Sequence, residues 1–326
     1  MSLFSKKIKK SKTFKKDSDF VLLEGDCYNN IKKLPKNSVK LIITSPPYNL
    51  NKEYEDKDTL ENYLYKIKPI IKEFKRVLKE DGSICWQVGN YVNKSEIFPL
   101  DIFYYNLFKE EGYKLRNRII WHFNHGLHGS KRLSGRYETM LWFTKSDNYT
   151  FNLDDIRVPS KYPGKTNYKK MKLVKGKLVK DKNYGKLSGN PLGKNPSDYW
   201  EIMTKEWELG FWEIPNVKAN HPEKTLHPCQ FPIELVERCV FAFTNEKDVV
   251  LDPFSGVGSS MLAAIKNDRV GVGCELDKGY IKIAYEKISL LEEGDLPYRE
   301  LGKKVSEAKG KVAKIPKEFK AYKLFG

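Results

Sequence analysis

Short apolar runs, each cut off by a turn signal, set the rhythm of the chain. They fall at residues 20–23, 41–44, 83–88, 115–123, 137–144, 249–251 and 270–274. Most are rich in β-branched or aromatic residues, so they read as strands, and the near-continuous ones as strands buried on both faces of a parallel sheet. Longer segments between them have helical periodicity. Residues 59–78 form one, with Asp58 or Thr59 as its cap and Asp81-Gly82 as its stop, and residues 98–108 another. A third covers 233–243, with Pro232 at its first helical position. Alternating strands and helices predict a doubly wound, mostly parallel α/β sheet. The alternation vanishes between about 152 and 220, which reads as a small irregular insertion.

Two strand ends carry chemistry. The run 41–44 stops in Ser45-Pro46-Pro47-Tyr48. Two consecutive prolines cannot continue a strand, since each fixes φ and lacks an N–H. The result is an extended loop at a strand's carboxyl end, where open α/β sheets bind ligands. Ser45 offers a hydroxyl oxygen, Pro46 a carbonyl and Tyr48 a flat aromatic face. Two acceptors beside a stacking ring suit a planar group bearing an amine, such as adenine or cytosine. The competing reading is a strand terminator with a surface tyrosine.

The second strand end is Asp252-Pro253-Phe254-Ser255-Gly256-Val257-Gly258-Ser259, a glycine loop between a strand and a helix. No Gly-Lys-Ser/Thr follows, so it is no ATP-type phosphate loop. The next strand ends in Glu275-Leu276, a carboxylate placed for ribose hydroxyls. Asp26-Cys27, after the strand at 20–23, is a weaker signal of the same kind.

Charge changes the picture more than composition does. The formal net charge is +17, and the lysines cluster. Residues 1–18 form a basic arm expected to be mobile and able to touch phosphates. Ten lysines between Lys161 and Lys186 are interleaved with Tyr162, Tyr168 and Tyr184, and Trp200, Trp207 and Trp212 follow. Such a pattern points to a nucleic-acid partner. The five cysteines (27, 85, 229, 239, 274) form no CxxC pair, so they read as reduced cytoplasmic thiols. His122, His125 and His128 are close together but lack acidic or cysteine co-ligands, so no metal is expected. Trp121 and Phe123 either wall a base pocket or belong to the core. No apolar run reaches the length of a membrane span.

Residues 44–48 resemble the catalytic motif of the DNA amino-methyltransferases, which methylate N4 of cytosine or N6 of adenine. The segment leading into that motif, the Lys224–Pro232 stretch and the glycine loop extend the resemblance over nearly all of the chain outside the basic arm and the tail. The catalytic loop precedes the cofactor loop, which is the circularly permuted order of the β group. Pro228-Cys229-Gln230 resembles the nucleophile motif of cytosine-C5 enzymes, but it stands in the wrong order for that class.

The resemblance implies a class I, Rossmann-like methyltransferase fold. It divides the chain into a basic arm (1–18), a catalytic half (19–150), a target-recognition region (151–220), a cofactor half (221–295) and a basic tail (296–326). It implies catalytic roles for Ser45, Pro46, Pro47 and Tyr48. It implies S-adenosyl-L-methionine contacts at Asp26, Cys27, His227, Phe231, Asp252, Phe254, Gly256, Gly258, Ser259, Glu275 and Leu276. Double-stranded DNA is the implied partner, with room for a cognate restriction endonuclease and for a homodimer. Ser rather than Asp before Pro-Pro-Tyr, and Phe231-Pro232, lean toward N4 of cytosine. The alternatives are an N6-adenine enzyme and a nucleic-acid-binding protein with a vestigial cofactor site.

Overall fold

The apolar runs form strands and the periodic segments form helices, in the order β1 (Lys10–Ser11), β2 (Phe20–Glu24), α1 (Cys27–Lys32), β3 (Val39–Thr44), α2 (Leu60–Val77), β4 (Leu78–Val88), β5 (Asn90–Asn93), β6 (Glu96–Pro99), α3 (Leu100–Glu110), β7 (Lys114–His122), β8 (Tyr137–Thr144), a 3-10 turn (Leu153–Ile156), β9 (Met171–Val174), β10 (Lys177–Lys180), β11 (Tyr199–Trp200), α4 (Ile233–Phe243), β12 (Val249–Asp252), α5 (Ser259–Lys266), β13 (Val270–Glu275) and α6 (Lys278–Glu293). This computed structural model describes residues 7–15, 17–47, 58–93, 96–123, 131–167, 171–200, 217, 221–227, 230 and 232–299.

Nine strands make one sheet in the order β1-β2-β13-β12-β3-β4-β8-β7-β11. All neighbours are parallel except β8, which runs antiparallel to both β4 and β7. Every residue of β3 is buried, which is why its sequence is nearly all apolar rather than alternating. Leu41 and Ile43 pack into a core shared with α4, α5 and α6. Ile42 points into the opposite core, shared with α1, α2 and α3. The sheet is therefore covered on both faces, as the alternating pattern predicts.

The site lies where the winding reverses. From β3 the chain crosses through α2 to β4 on one side. From β12 it crosses through α5 to β13 on the other. The carboxyl ends of β3 and β12 are adjacent, and diverging crossovers leave a crevice between them. Sequence order is irrelevant to this adjacency, so a chain that supplies β3 some 200 residues before β12 builds the same crevice.

Several expectations are corrected. The described part of the basic arm is docked rather than mobile. Ile8 is buried, β1 pairs with β2, and Ile8 N–H and Lys10 Nζ both reach the Glu292 carboxylate of α6, at 2.7 and 2.5 Å. Two-residue edge strands have no periodicity to read. Helix α3 starts at Leu100 rather than 98, because Phe98 and Pro99 pair with Tyr91 and Asn90 in the β5–β6 hairpin, which leaves Pro99 as the N-cap. Pro232 likewise sits at the N-cap of α4, one residue outside the helix. The region after 150 does not stand apart: β11 extends the main sheet beside β7, and Ile156 and Trp200 join its core. The start of the tail is held too, with Leu296 buried and Arg299 N–H donating to Glu223 at 3.3 Å.

Candidate active site

A cleft of about 400 Å³ opens at the reversal point, within the range typical of small-molecule sites. Five segments line it. The β2 end brings Gly25, Asp26 and Cys27, and the β3 end brings Ser45, Pro46 and Pro47. The loop before α4 brings His227 and Gln230. The glycine loop contributes residues 253–257, Ser259 and Ser260, and the β13 end contributes residues 274–277 with Tyr280.

Of the residues singled out in the sequence, Asp26, Cys27, Ser45, Pro46, Pro47, His227, Phe254, Gly256, Ser259, Glu275 and Leu276 meet in this one cleft. Tyr48 and Phe231 lie outside the described residues, as do His125, His128, Trp207 and Trp212. Asp252 and Gly258 are described but do not line the cleft. Trp121 and Phe123 are core residues, packed edge to face at 5.2 Å, so the core alternative holds for them.

Asp252 is a buried knot. Its Oδ1 accepts from Thr44 Oγ1 at 2.6 Å and from Phe254 N–H at 3.1 Å, and its Oδ2 accepts from Ser260 Oγ. The carboxylate thus ties the last residue of β3 to the glycine loop and to the first turn of α5. Burial pushes its pKa up to about 6 although all three hydrogen bonds oppose the rise. Gly258 caps α5 at φ +82, a conformation that costs a side-chain-bearing residue, and a Cβ there would crowd Ala284 and Met261. Gly256, at φ +49, lies beneath His227, whose Nε2 would stand 3.1 Å from an added Cβ.

The Ser45-Pro46-Pro47 loop is held from outside the cleft. Tyr63 of α2 donates to the Pro47 carbonyl at 2.5 Å, and its hydroxyl also meets the hydroxyl of Tyr104 from α3. With the Tyr63 proton on Pro47, Tyr104 must be the donor between the two. Neither tyrosine was legible as functional, because both sit at core positions of helical patterns. Thr44 and Ser260 were missed for a different reason: their partner is some 200 residues away in Thr44's case.

The electrostatics of the cleft run against those of the chain. Among the described residues its charged lining side chains are Asp26, Glu275 and Asp277, with no lysine or arginine, in a protein of net charge +17. Glu275 accepts N–H bonds from Gly256 at 2.7 Å, Leu276 at 2.9 Å and Asp277 at 2.8 Å. A carboxylate has about four acceptor sites, so one remains for a ligand hydroxyl. Burial raises its pKa while these N–H donors hold it down. Burial first, then Asp26, pushes the Cys27 thiol up to about 12, so it is a wall rather than a nucleophile. Burial, with Lys224 and Lys287 nearby, lowers His227 to about 4 and keeps the ring neutral.

These residues fit S-adenosyl-L-methionine. Phe254, Leu276 and Cys27 offer apolar surface for a purine, Glu275 an acceptor for ribose, and the acidic lining suits a cationic sulfonium. Comparisons with known proteins agree. Residues 39–286 match the N6/N4 DNA methylase family. The chain is 45% identical over 269 residues to the type II methyltransferase M.BglII of Bacillus subtilis, covering 82% of this chain and 68% of that protein. It is 28% identical over 280 residues to the DNA adenine methyltransferase YhdJ of Escherichia coli (strain K12), covering 82% of each. The fold resembles the cytosine-N4-specific PvuII DNA methyltransferase, with a TM-score of 0.62 at 19% identity over 90% of this chain and 96% of that one. It also resembles a putative DNA modification methylase of Thermus thermophilus in complex with S-adenosyl-L-methionine, with a TM-score of 0.56 at 24% identity over 84% and 96% of the two chains. The chain belongs to the N6/N4 DNA methylase family and is an S-adenosyl-L-methionine-dependent DNA methyltransferase.

Proposed function

We propose that the enzyme methylates the exocyclic N4 of cytosine in double-stranded DNA, as the modification partner of a restriction endonuclease. The observation that carries the reading is that Ser45, Pro46 and Pro47 open into the same cleft as Phe254, Gly256 and Glu275. An amine held at the first group of residues would meet a methyl donor held at the second.

The target atom is buried in the base stack, so the base must be extruded. Its amine is a poor nucleophile because the lone pair is delocalised into the ring. Ser45 Oγ and the Pro46 carbonyl accept the two amine hydrogens and draw the nitrogen toward tetrahedral geometry. Tyr48 stacks on the ring. The Pro47 carbonyl is engaged by Tyr63, which fixes the loop rather than the substrate. Asp26, Glu275 and the glycine loop orient the cofactor, which supplies a methyl group already activated on a sulfonium. Positioning then supplies most of the catalysis.

The choice of N4 rests on Ser45, where N6-adenine members of the family more often carry Asp. The likeness to an adenine methyltransferase from Escherichia coli favours the second reading, N6 of adenine. The type II relatives support the restriction-modification role. The test is methyl transfer from labelled S-adenosyl-L-methionine to mixed-sequence DNA, with the product nucleosides identified by mass. N4-methylcytosine is the expected product. N6-methyladenine would overturn the base assignment and leave the residue roles standing.

A further inference from the structure

Two walls of the cleft, His227 and Gln230, stand on the loop that leads into α4. That loop is bonded mainly to itself. Gln230 Nε2 donates to the Glu223 carbonyl at 2.9 Å, and Gln230 Oε1 accepts from Thr225 Oγ1 at 3.0 Å. The same Thr225 hydroxyl accepts from His227 N–H at 3.2 Å, and the His227 carbonyl accepts from Lys224 Nζ at 2.9 Å. The loop thus behaves as one piece, and the position of both walls depends on what holds Glu223.

Glu223 is 2% exposed. Its Oε2 accepts from Ile233 N–H at 2.9 Å and its Oε1 from Arg299 N–H at 3.3 Å. Ile233 opens α4, whose N-cap, Pro232, makes no side-chain capping bond. The first N–H groups of a helix need outside acceptors, and Glu223 supplies one from ten residues upstream. Arg299 arrives from the far end of the chain. After α6 the backbone turns at Gly294 (φ +82), buries Leu296, and brings the Arg299 guanidinium onto Glu234 in the first turn of α4. That pair is 9% and 1% exposed, so it is a buried fastening rather than a surface contact. Burial raises the Glu223 pKa, while the Ile233 and Arg299 N–H groups and the nearby Lys287 oppose the rise. A carboxylate buried at such cost is not packing filler.

Taking the cleft as the cofactor site, we infer that Glu223, fastened by Arg299, is a positioning residue for S-adenosyl-L-methionine. It fixes the loop that carries His227 and Gln230, and so sets cofactor affinity from outside the cleft. Neither Glu223 nor Arg299 lines the cleft. The contacts run without a break from Arg299 to Glu223, and from Glu223 through Gln230 and Thr225 to His227. The fit at the end of this path is close. A Cβ on Gly256 would stand 3.1 Å from His227 Nε2, so a displaced loop changes the wall directly above the glycine loop. An amide cannot replace the carboxylate, because only one of its two polar atoms accepts an N–H.

The test uses the full-length enzyme, Glu223→Gln, Arg299→Gln, and a cleft variant combining His227→Ala with Gln230→Ala. Calorimetry gives the cofactor dissociation constant, and steady-state kinetics separate the two KM values from kcat. Glu223→Gln and Arg299→Gln should each weaken cofactor binding and raise the KM for cofactor about tenfold. The KM for DNA, and kcat at saturating cofactor, should stay within about twofold. Added to the cleft variant, Glu223→Gln should weaken cofactor binding by less than about twofold further, since the walls it positions are gone. Should Glu223→Gln not fold, Arg299→Gln carries the same comparison. Unchanged cofactor affinity in Glu223→Gln or Arg299→Gln would overturn the inference. So would equal rises in both KM values with a lower Tm, the mark of a merely structural role, or a full tenfold effect in the cleft-variant background. A cleft variant that bound cofactor normally would overturn it at the premise, because His227 and Gln230 would then not be walls of the cofactor site.

Discussion

At the scale of single residues, the site separates side chains that touch ligand from side chains that aim them. In the proposed function Ser45, which lines the cleft, belongs to the first kind. Ser45→Ala removes an acceptor for the amine and should cut kcat at least a hundredfold while leaving the cofactor dissociation constant, measured by calorimetry, within about twofold. A parallel loss of cofactor affinity would show that Ser45 is structural. Tyr63 belongs to the second kind. Tyr63→Phe removes the donor to the Pro47 carbonyl and one hydrogen-bond partner of the Tyr104 hydroxyl. Loss of such a bond costs roughly 1–3 kcal/mol, so kcat should fall about tenfold with cofactor binding intact. A variant that loses thermal stability but keeps its kcat would sink the positioning role. Asp252 gives a pH signature. Its folded-state pKa of about 6 lies above the ordinary 3.8 because of burial. Below pH 4 the group is protonated whether folded or unfolded and costs nothing. As pH rises from 4 to 6 the native state pays roughly 3 kcal/mol to ionise it, and the penalty stays constant above that. Asp252→Asn keeps an acceptor for Thr44 and the Phe254 N–H and donates to Ser260. Urea unfolding across that pH range should show the wild type losing stability relative to the Asn variant. Identical profiles would mean that folding does not raise the pKa of Asp252.

At the scale of elements, one side chain of β4 backs the aromatic residue of the glycine loop. Trp86 of β4 is fully buried, with Phe74, Tyr104, Phe108 and Phe254 around it at ring distances of 6.0, 5.1, 5.4 and 6.3 Å. Phe254 is the cleft residue of that group, so β4 and α3 support the cofactor loop without touching the cofactor. Trp86→Ala should destabilise the fold by roughly 3–5 kcal/mol and weaken cofactor binding, because Phe254 loses its backing. The indole N–H has no hydrogen-bond partner among the described residues. Trp86→Phe removes that orphaned donor along with some volume, and should therefore cost less than half as much. Chemical unfolding with calorimetric binding checks both. If the Ala variant bound cofactor normally, the loop would not depend on β4. Helix α2 shows the opposite case, an element whose cap could be read in advance. Thr59 caps it through Asn62 N–H at 3.2 Å, one residue before its start at Leu60.

At the scale of the whole molecule, charge is divided by purpose. A strongly basic protein keeps an acidic cleft for a cationic cofactor, while its excess positive charge suits a DNA substrate. The two binding events should therefore respond differently to salt. Raising salt from about 50 to 200 mM should weaken DNA binding by a factor of about ten or more, because less is gained from counterion release. Cofactor affinity, set inside a partly enclosed cleft, should change by less than about threefold. Equal sensitivity of both would mean that the cofactor is held by surface charge rather than by the cleft.

The sequence by itself determined what local patterns can encode. A run buried on both faces must be apolar throughout, two prolines must end a strand, and glycines must mark a loop that approaches a ligand. Those rules place β3, β12, β13 and the chemistry at their ends, while the permuted order follows from the resemblance to the β-group methyltransferases. They also give the sheet its class, because alternation of strand and helix is visible in the periodicity. Tertiary structure decided whatever depends on which distant segments meet. The Thr44–Asp252–Ser260 knot joins residues whose separation has no local signal. The Tyr63–Tyr104 clamp is made by two core-patterned residues of different helices. β1 and β11 are too short to show periodicity, and exist only because a sheet edge offers unpaired backbone groups. The lysine-rich segment after residue 150 was legible as a basic, aromatic stretch, but its antiparallel register is a pairing between residues up to 36 positions apart, from Val158 to Lys194, and only the folded chain shows it.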